Sequence, residues 1–556
     1  MRTIAELSDA LLHAVLAGAP VDATLLGFHS YDRLLPDMSE AAELARVGLL
    51  NGLLHELDDA PATSVDEVLE ADILRAFVLG LLDHEAARTA EFTVSDYFGT
   101  TVGSLLTAAP MIGLTEPAHA EDYLHRLRAI PALLATVAAR ASAGTAAGRT
   151  AVAPLVQRAT EQVDRYLGDP EGDPFLAPAP PDDWGGADDF AAERRRILTQ
   201  DVRPAMAAYR DTILAAVLPH ARPFDRPGLC WLPGGNESYA ALVRLHTTTS
   251  RTPAEIHQLG LDVIAGLAQE YAEVGGRHYG TTEPTEIFRR IRTDPTLPYR
   301  DAAEILSLAE SAVRRAEAAA PAWFGRLPLQ QCVVKAVPDE QARQSPVAYY
   351  FPPALDGSRG GVYFANTADP ALRLRHESEA IAFHEAVPGH HFQLSLIQEL
   401  ALSPLRKVYT ATAYTEGWGL YAERLAQEMG LYSDDVALLG MLSADSLRAA
   451  RLVVDTGMHA LGWSRDQAIA YCRDNTPMTA ADIEVEIDRY ISDPGQALAY
   501  MVGRLEIMRV RALAQQRLGD RFDIRGFHDA VLAVGGVPLG VLERVVTTWC
   551  ESLEAG

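Results

Sequence analysis

The 556-residue sequence predicts a mainly α-helical fold with one small β-sheet beside a helix that carries a His-Glu pair. Three observations lead there. Ala- and Leu-rich runs, such as 42–50 and 71–82, repeat at the 3.6-residue spacing of helices with one apolar face. The main run of segments rich in β-branched and aromatic residues lies within 331–365. Soon after them comes Ala382-Phe383-His384-Glu385-Ala386-Val387-Pro388-Gly389-His390-His391.

Taken in order, residues 1–168 form an N-terminal helical region, its runs separated by short Pro or Gly breaks that suggest antiparallel neighbours. Residues 169–188 hold too many Pro and Gly for a long element and read as a surface connection. Residues 189–556 form the region that carries the His-Glu pair. It opens with a helix over 190–218, kinked or restarted near Pro204. Thr252-Pro253-Ala254-Glu255 is a capping box with Pro at the first helical position, so a helix runs from there to about 274. Strands are expected over 331–337, 347–351 and 361–365, with Asp356 to Gly361 turning between the last two. Helices follow over 374–400, kinked at Pro388, then 412–430 and 436–470. Asp493-Pro494-Gly495-Gln496 breaks the chain before a helix carrying Tyr500, Arg504 and Glu506.

His-Glu-x-x-His on a helix puts two histidines on one face, where they share a Zn²⁺ while the Glu activates a water. Here the second histidine arrives six residues after the first. On a regular helix, six residues is roughly 240° round the axis, so His390 would point away from His384. His391, seven on, returns to the face about 10 Å further along. Pro388 removes a backbone donor and Gly389 permits unusual backbone angles, so a bulge there can swing His390 back. His390 is preferred as second ligand because it follows the Pro-Gly break directly, with His391 the alternative. A catalytic zinc takes a third protein ligand, and Glu416 in Glu416-Gly417-Trp418-Gly419 is the candidate. Glu423, two turns on, lies on the same face and can orient a ligand histidine.

These blocks resemble the large bacterial family labelled domain of unknown function 885, which is grouped with the zincin-like metallopeptidases. The likeness extends to Gly228-Leu229-Cys230-Trp231-Leu232-Pro233-Gly234-Gly235, the Thr252 box, Tyr349 to Tyr363, Val454 to His459 and Asp493 to Tyr500. It implies a large helical zincin-like fold with the architecture of the neurolysin and carboxypeptidase Taq oligopeptidases, an analogy of fold that names no substrate. It also implies Zn²⁺ held by His384, His390 and Glu416, with Glu385 as general base. Tyr500 or His459 would donate to the oxyanion, as late-helix residues of related hydrolases do. By the same analogy, an extended peptide would lie along the strand at 360–365. The expected activity is hydrolysis of peptide bonds or related amides in small peptides. The alternatives are a zinc amidohydrolase acting on a small metabolite and a catalytically inactive helical binding protein.

Composition narrows the partners. Seventy-five acidic residues against 48 basic give a formal charge of −27, which repels phosphate backbones and anionic membranes, so no nucleic acid or membrane partner is expected. The four cysteines lie far apart with no Cys-x-x-Cys, which indicates neither a zinc ribbon nor a disulfide framework. Acidic residues interrupt the N-terminal stretch and no apolar run approaches 18 residues, so a cytoplasmic location is expected. Nothing in the sequence speaks to oligomeric state.

Overall fold

Helices begin where the sequence supplies caps. Thr3 with Glu6, Thr252 with Glu255 and Ser464 with Gln467 each form a complete capping box, opening the helices Ile4–Gly18, Pro253–His278 and Arg465–Asn475. Each box satisfies two amide groups that the first turn leaves unbonded. The computed structural model describes residues 2–338, 342, 346–353 and 360–555, and over these the protein is mainly helical. The expected turn at Asp356 to Gly361 lies largely outside the described residues.

The apolar cores do not follow the divisions of the chain. The main core gathers side chains from 4–92 together with 229–550. A second core takes 94–217, under the helix Pro117–Ala146 and the segment that follows 187. Pro117–Ala146 is long and apolar enough to cross a membrane, contrary to the sequence expectation. In the fold, Tyr123, Leu127, Ile130 and Leu134 on this helix pack into the second core, and Arg126 caps the carbonyls of Pro20, Tyr31 and Leu34. The connection at 169–188 contains one short turn of helix, Pro174–Leu176. Helical backbone then continues from Ala187 to His220 through two wide turns, Leu198–Val202 and Ile213–Val217. Pro204 opens the regular helix between them, as expected of a restart.

Three strands form the sheet: β1 Val333–Ala336, β2 Ala348–Phe351 and β3 Val362–Ala365. Their order is β1-β3-β2, with β3 parallel to β1 and antiparallel to β2. The strand proposed as a substrate rail is therefore the central one. Every residue of β3 is paired on both sides, so it has no free edge for a peptide.

Two helix contacts place the site. Pro253–His278 packs along Asp435–His459, where Gly260 meets the side chains of Leu452 and Val453. Thr412–Glu428 crosses Ala499–Leu518 so closely that a Cβ on Gly417 would stand 2.5 Å from the backbone of Gly503. That crossing draws Tyr500 towards Glu416.

Candidate metal centre

The expected kinked helix over 374–400 is two helices, Ser378–Glu385 and His390–Glu399, joined by a turn at 386–389 with a cis Val387–Pro388 peptide. His384 sits in the last turn of the first helix, and His390 opens the second. The lengthened spacing thus belongs to a corner between two helices. Gly389 is required at the corner: a Cβ there would lie 1.9 Å from the carbonyl oxygen of His384 and 2.4 Å from that of Phe383. Buried Trp418 fastens the turn by donating its indole N–H to the Pro388 carbonyl at 2.9 Å.

The corner brings His384, His390 and Glu416 together, with one ligand atom of each within 4.8 Å of the others. Glu416 Oε2 is 3.6 Å from His384 Nε2 and 3.4 Å from His390 Nε2. A tetrahedral zinc with bonds of about 2.05 Å separates its ligand atoms by roughly 3.3 Å, close to both distances. The two imidazole planes meet at 86° with centroids 4.6 Å apart, so in-plane lone pairs can converge on one point. The other candidate cluster, His29, Asp32 and His119, fails this test. Its imidazoles are stacked 4.0 Å apart and only 14° from parallel.

Behind the ligands, buried Glu423 accepts the Nδ1–H of His384 at 2.8 Å, leaving Nε2 with its lone pair towards the cluster. Gly419 makes room for this ring, since a Cβ would lie 2.7 Å from it. Burial by itself would depress the His384 pKa, but the Glu416 and Glu423 carboxylates push it up to about 9. Glu416 is held well below the usual carboxylate range, because the two imidazoles outweigh a burial that alone would raise it. The donor set thus favours a cation between its members. The residues present fit a divalent metal of the zinc class.

Glu385 is half-buried beside His384, and its charge reaches the Tyr363 phenol of β3 and the Cys332 thiol. Tyr500 also lies beside His384, its ring stacked 6.5 Å from that of His384. Burial and Glu416 raise the Tyr500 pKa, while Arg489 and Arg451 pull the other way.

Two sequence candidates are engaged elsewhere. His391 accepts from the Tyr350 hydroxyl at Nδ1, 3.0 Å, and donates from Nε2 to the Gln330 carbonyl, 2.9 Å, tying the second helix to the sheet. His459 is fully buried, accepts from the Leu229 amide at Nδ1, 3.2 Å, and donates from Nε2 to the Tyr490 carbonyl, 3.0 Å. With both nitrogens bonded to backbone, His459 has no proton to offer an oxyanion; its candidacy is corrected to a structural role. The sequence reading overlooked the bond from Trp418 and the arginines around Tyr500. Arg451 and its partners Glu486 and Tyr490 are 35 and 39 residues apart, beyond any local pattern.

No curated protein matches the chain. Among solved structures, the "putative lipoprotein" from Colwellia psychrerythraea shares 27% identity with a TM-score of 0.90, covering 99% of this chain and 100% of its own. A second "putative lipoprotein of unknown function", from Shewanella oneidensis, shares 19% identity with a TM-score of 0.78 over 98% of this chain, a likeness of fold. The model of the family described as bacterial protein of unknown function (DUF885) matches residues 20–546, and the chain belongs to that family.

Proposed function

We propose that this protein is a zinc-dependent hydrolase of peptide bonds, or related amides, in small peptides. The observation that carries the reading is the convergence of His384, His390 and Glu416 at near-tetrahedral spacing, with Glu423 orienting His384 from behind. When bound, zinc supplies Lewis acidity, which polarises the carbonyl and acidifies water. Glu385 takes the proton of the attacking water and returns it to the departing amine nitrogen. The Tyr500 hydroxyl donates to the oxygen that gains charge.

The test is metal content by mass spectrometry together with turnover of a mixed peptide library. The expected result is about one zinc per chain and cleaved peptides. Glu385→Gln should keep the metal and lose turnover, and Glu416→Ala should lose the metal. Protein that takes up no zinc, or a Glu385→Gln variant as active as the parent, refutes the proposal.

A further inference from the structure

The wall of the site beyond Tyr500 carries more positive charge than its own partners neutralise. Arg451, 5% exposed, lays its guanidinium 4.6 Å over the Tyr500 ring. It donates from Nη2 to Glu486 at 2.7 Å and from Nε to the Tyr490 hydroxyl at 2.8 Å, while Nη1 is buried with no hydrogen-bond partner among the described residues. Arg489, one turn from Glu486, reaches the same carboxylate at 3.4 Å and donates from Nη2 to the Gln496 amide oxygen at 2.5 Å. Its side chain stays 20% exposed. Two guanidinium groups thus share one carboxylate, Glu486. Two other acids lie in this region: Asp455, which feels the charge of Arg489, accepts from the Tyr239 hydroxyl and the Gly495 amide, and Asp493 takes the Tyr97 hydroxyl at 3.4 Å; neither forms an ion pair with either arginine among the described residues. A buried guanidinium N–H without an acceptor is costly unless a ligand supplies one.

We infer that Arg489 and Arg451 form a carboxylate-binding subsite beside Tyr500, which receives the free C-terminal carboxylate of a short peptide. The inference rests on the hydrolase reading for which bond is cut and adds which end of the substrate is recognised. Arg451 stands over Tyr500, and Tyr500 stacks on His384, so the guanidinium lies within the reach of one to three extended residues, about 3.3–3.6 Å each. With the scissile carbonyl at the metal cluster and the chain end at the arginines, the enzyme releases one to three residues from the C-terminus. A planar guanidinium pairs with a carboxylate through two parallel N–H donors, a match that a C-terminal amide cannot reproduce.

The experiment uses the zinc-loaded protein and two pentapeptide pools, identical except that one carries free C-terminal carboxylates and the other amides. The expected result is a kcat/KM preference for the free acids of about 10- to 150-fold, the equivalent of one charge-assisted hydrogen bond. Arg489→Gln should collapse that preference through KM, and Arg489→Lys should restore part of it. Equal kcat/KM on both pools overturns the inference. So does an Arg489→Gln defect in kcat of the same size on both pools, because that marks a group which only braces Tyr500. If the zinc-loaded protein cleaves neither pool, the hydrolase reading fails separately, and calorimetry with tri-alanine and tri-alanine amide decides the subsite. Tighter binding of the acid, weakened in Arg489→Gln, supports the subsite; equal binding, or none of either, overturns it.

Discussion

Replacing Gly389 by Ala tests whether the metal centre is built by the corner between two helices. The added Cβ would lie 1.9 Å from the His384 carbonyl oxygen and 2.4 Å from that of Phe383, where real Cβ atoms essentially never come within 3.0 Å. Relief requires a shift of about 1 Å between the end of the first helix and the start of the second. His390 is the next residue, so the shift passes straight into the distance between the two imidazoles. Metal–ligand bonds tolerate only about 0.2 Å, so one ligand is lost or badly strained. Overpacking of this kind costs about 1–3 kcal/mol of stability. The expected loss in zinc affinity is at least about 100-fold, or roughly 2.7 kcal/mol. The assay is competition for zinc against a chromophoric chelator, with calorimetric unfolding of the metal-free protein alongside. Gly52→Ala is the control: Gly52 is exposed in the helix Glu40–Asp59 with nothing within 4 Å of its added Cβ. It should leave affinity unchanged and raise stability by up to about 1 kcal/mol. A Gly389→Ala protein that binds zinc as tightly as the parent would refute the corner as the determinant of the site.

Three further outcomes are expected. Glu423→Ala removes the acceptor that fixes the His384 ring and should weaken zinc binding about 10- to 100-fold in the same competition assay; undiminished affinity would show that His384 needs no such support. Trp418→Phe leaves the Pro388 carbonyl without its buried indole donor and should cost about 1–3 kcal/mol in urea unfolding; a loss near zero would mean the turn holds itself. Burial pushes the His459 pKa down to about 3 from an ordinary value near 6.5. Between these values the unfolded chain takes a proton that the fold refuses, so this contribution is full above pH 6.5 and is lost as pH falls towards 3. His459→Gln, which can keep one donor and one acceptor, should therefore flatten the acid side of the stability profile by about 1.4 kcal/mol per pH unit relative to the parent. Parallel profiles would sink this account, and loss of activity without loss of stability would return His459 to the chemistry.

What the sequence made legible depended on how local the physics is. The Thr252–Glu255 box spans three residues, and the helix starts where it stands. The three strands fall within the expected runs, where β-branched and aromatic residues cluster. Their order could not be read, since nothing in three short strands says which one lies in the middle, and the proposed rail failed for that reason. The cluster of His384, His390 and Glu416 was expected from the motif and the family resemblance, with His391 as the alternative second ligand, yet the device that assembles it was not. A Pro-Gly pair is compatible with a bulge or with a full corner, and the Trp418 indole that fastens the corner lies 30 residues away. Gly417 admits the backbone of Gly503 and Gly419 admits the His384 ring, two close approaches that a glycine permits but does not by itself announce. His459 misled because a histidine at the end of a helix looks the same in sequence whether it faces a substrate or two backbone groups.

The charge of the whole molecule and the charge of the site point to different substrates. A formal −27 suggests an attraction for basic peptides. Those charges are spread over the surface, and at physiological salt each is felt over only about 8 Å. Inside the site the sign varies by position. Glu385, Glu416 and Glu423 surround the two imidazoles, whereas Arg451 and Arg489 answer to Glu486 beyond Tyr500. Buried groups are screened far less than exposed ones, so this local polarity outweighs the distant surface for any ligand that enters. A substrate crossing Tyr500 therefore meets a negative ring suited to a metal and the bond to be cut, then a positive wall suited to a chain end. On the proposed reading, surface charge would govern solubility and encounter, and the two arginines would govern which peptide stays.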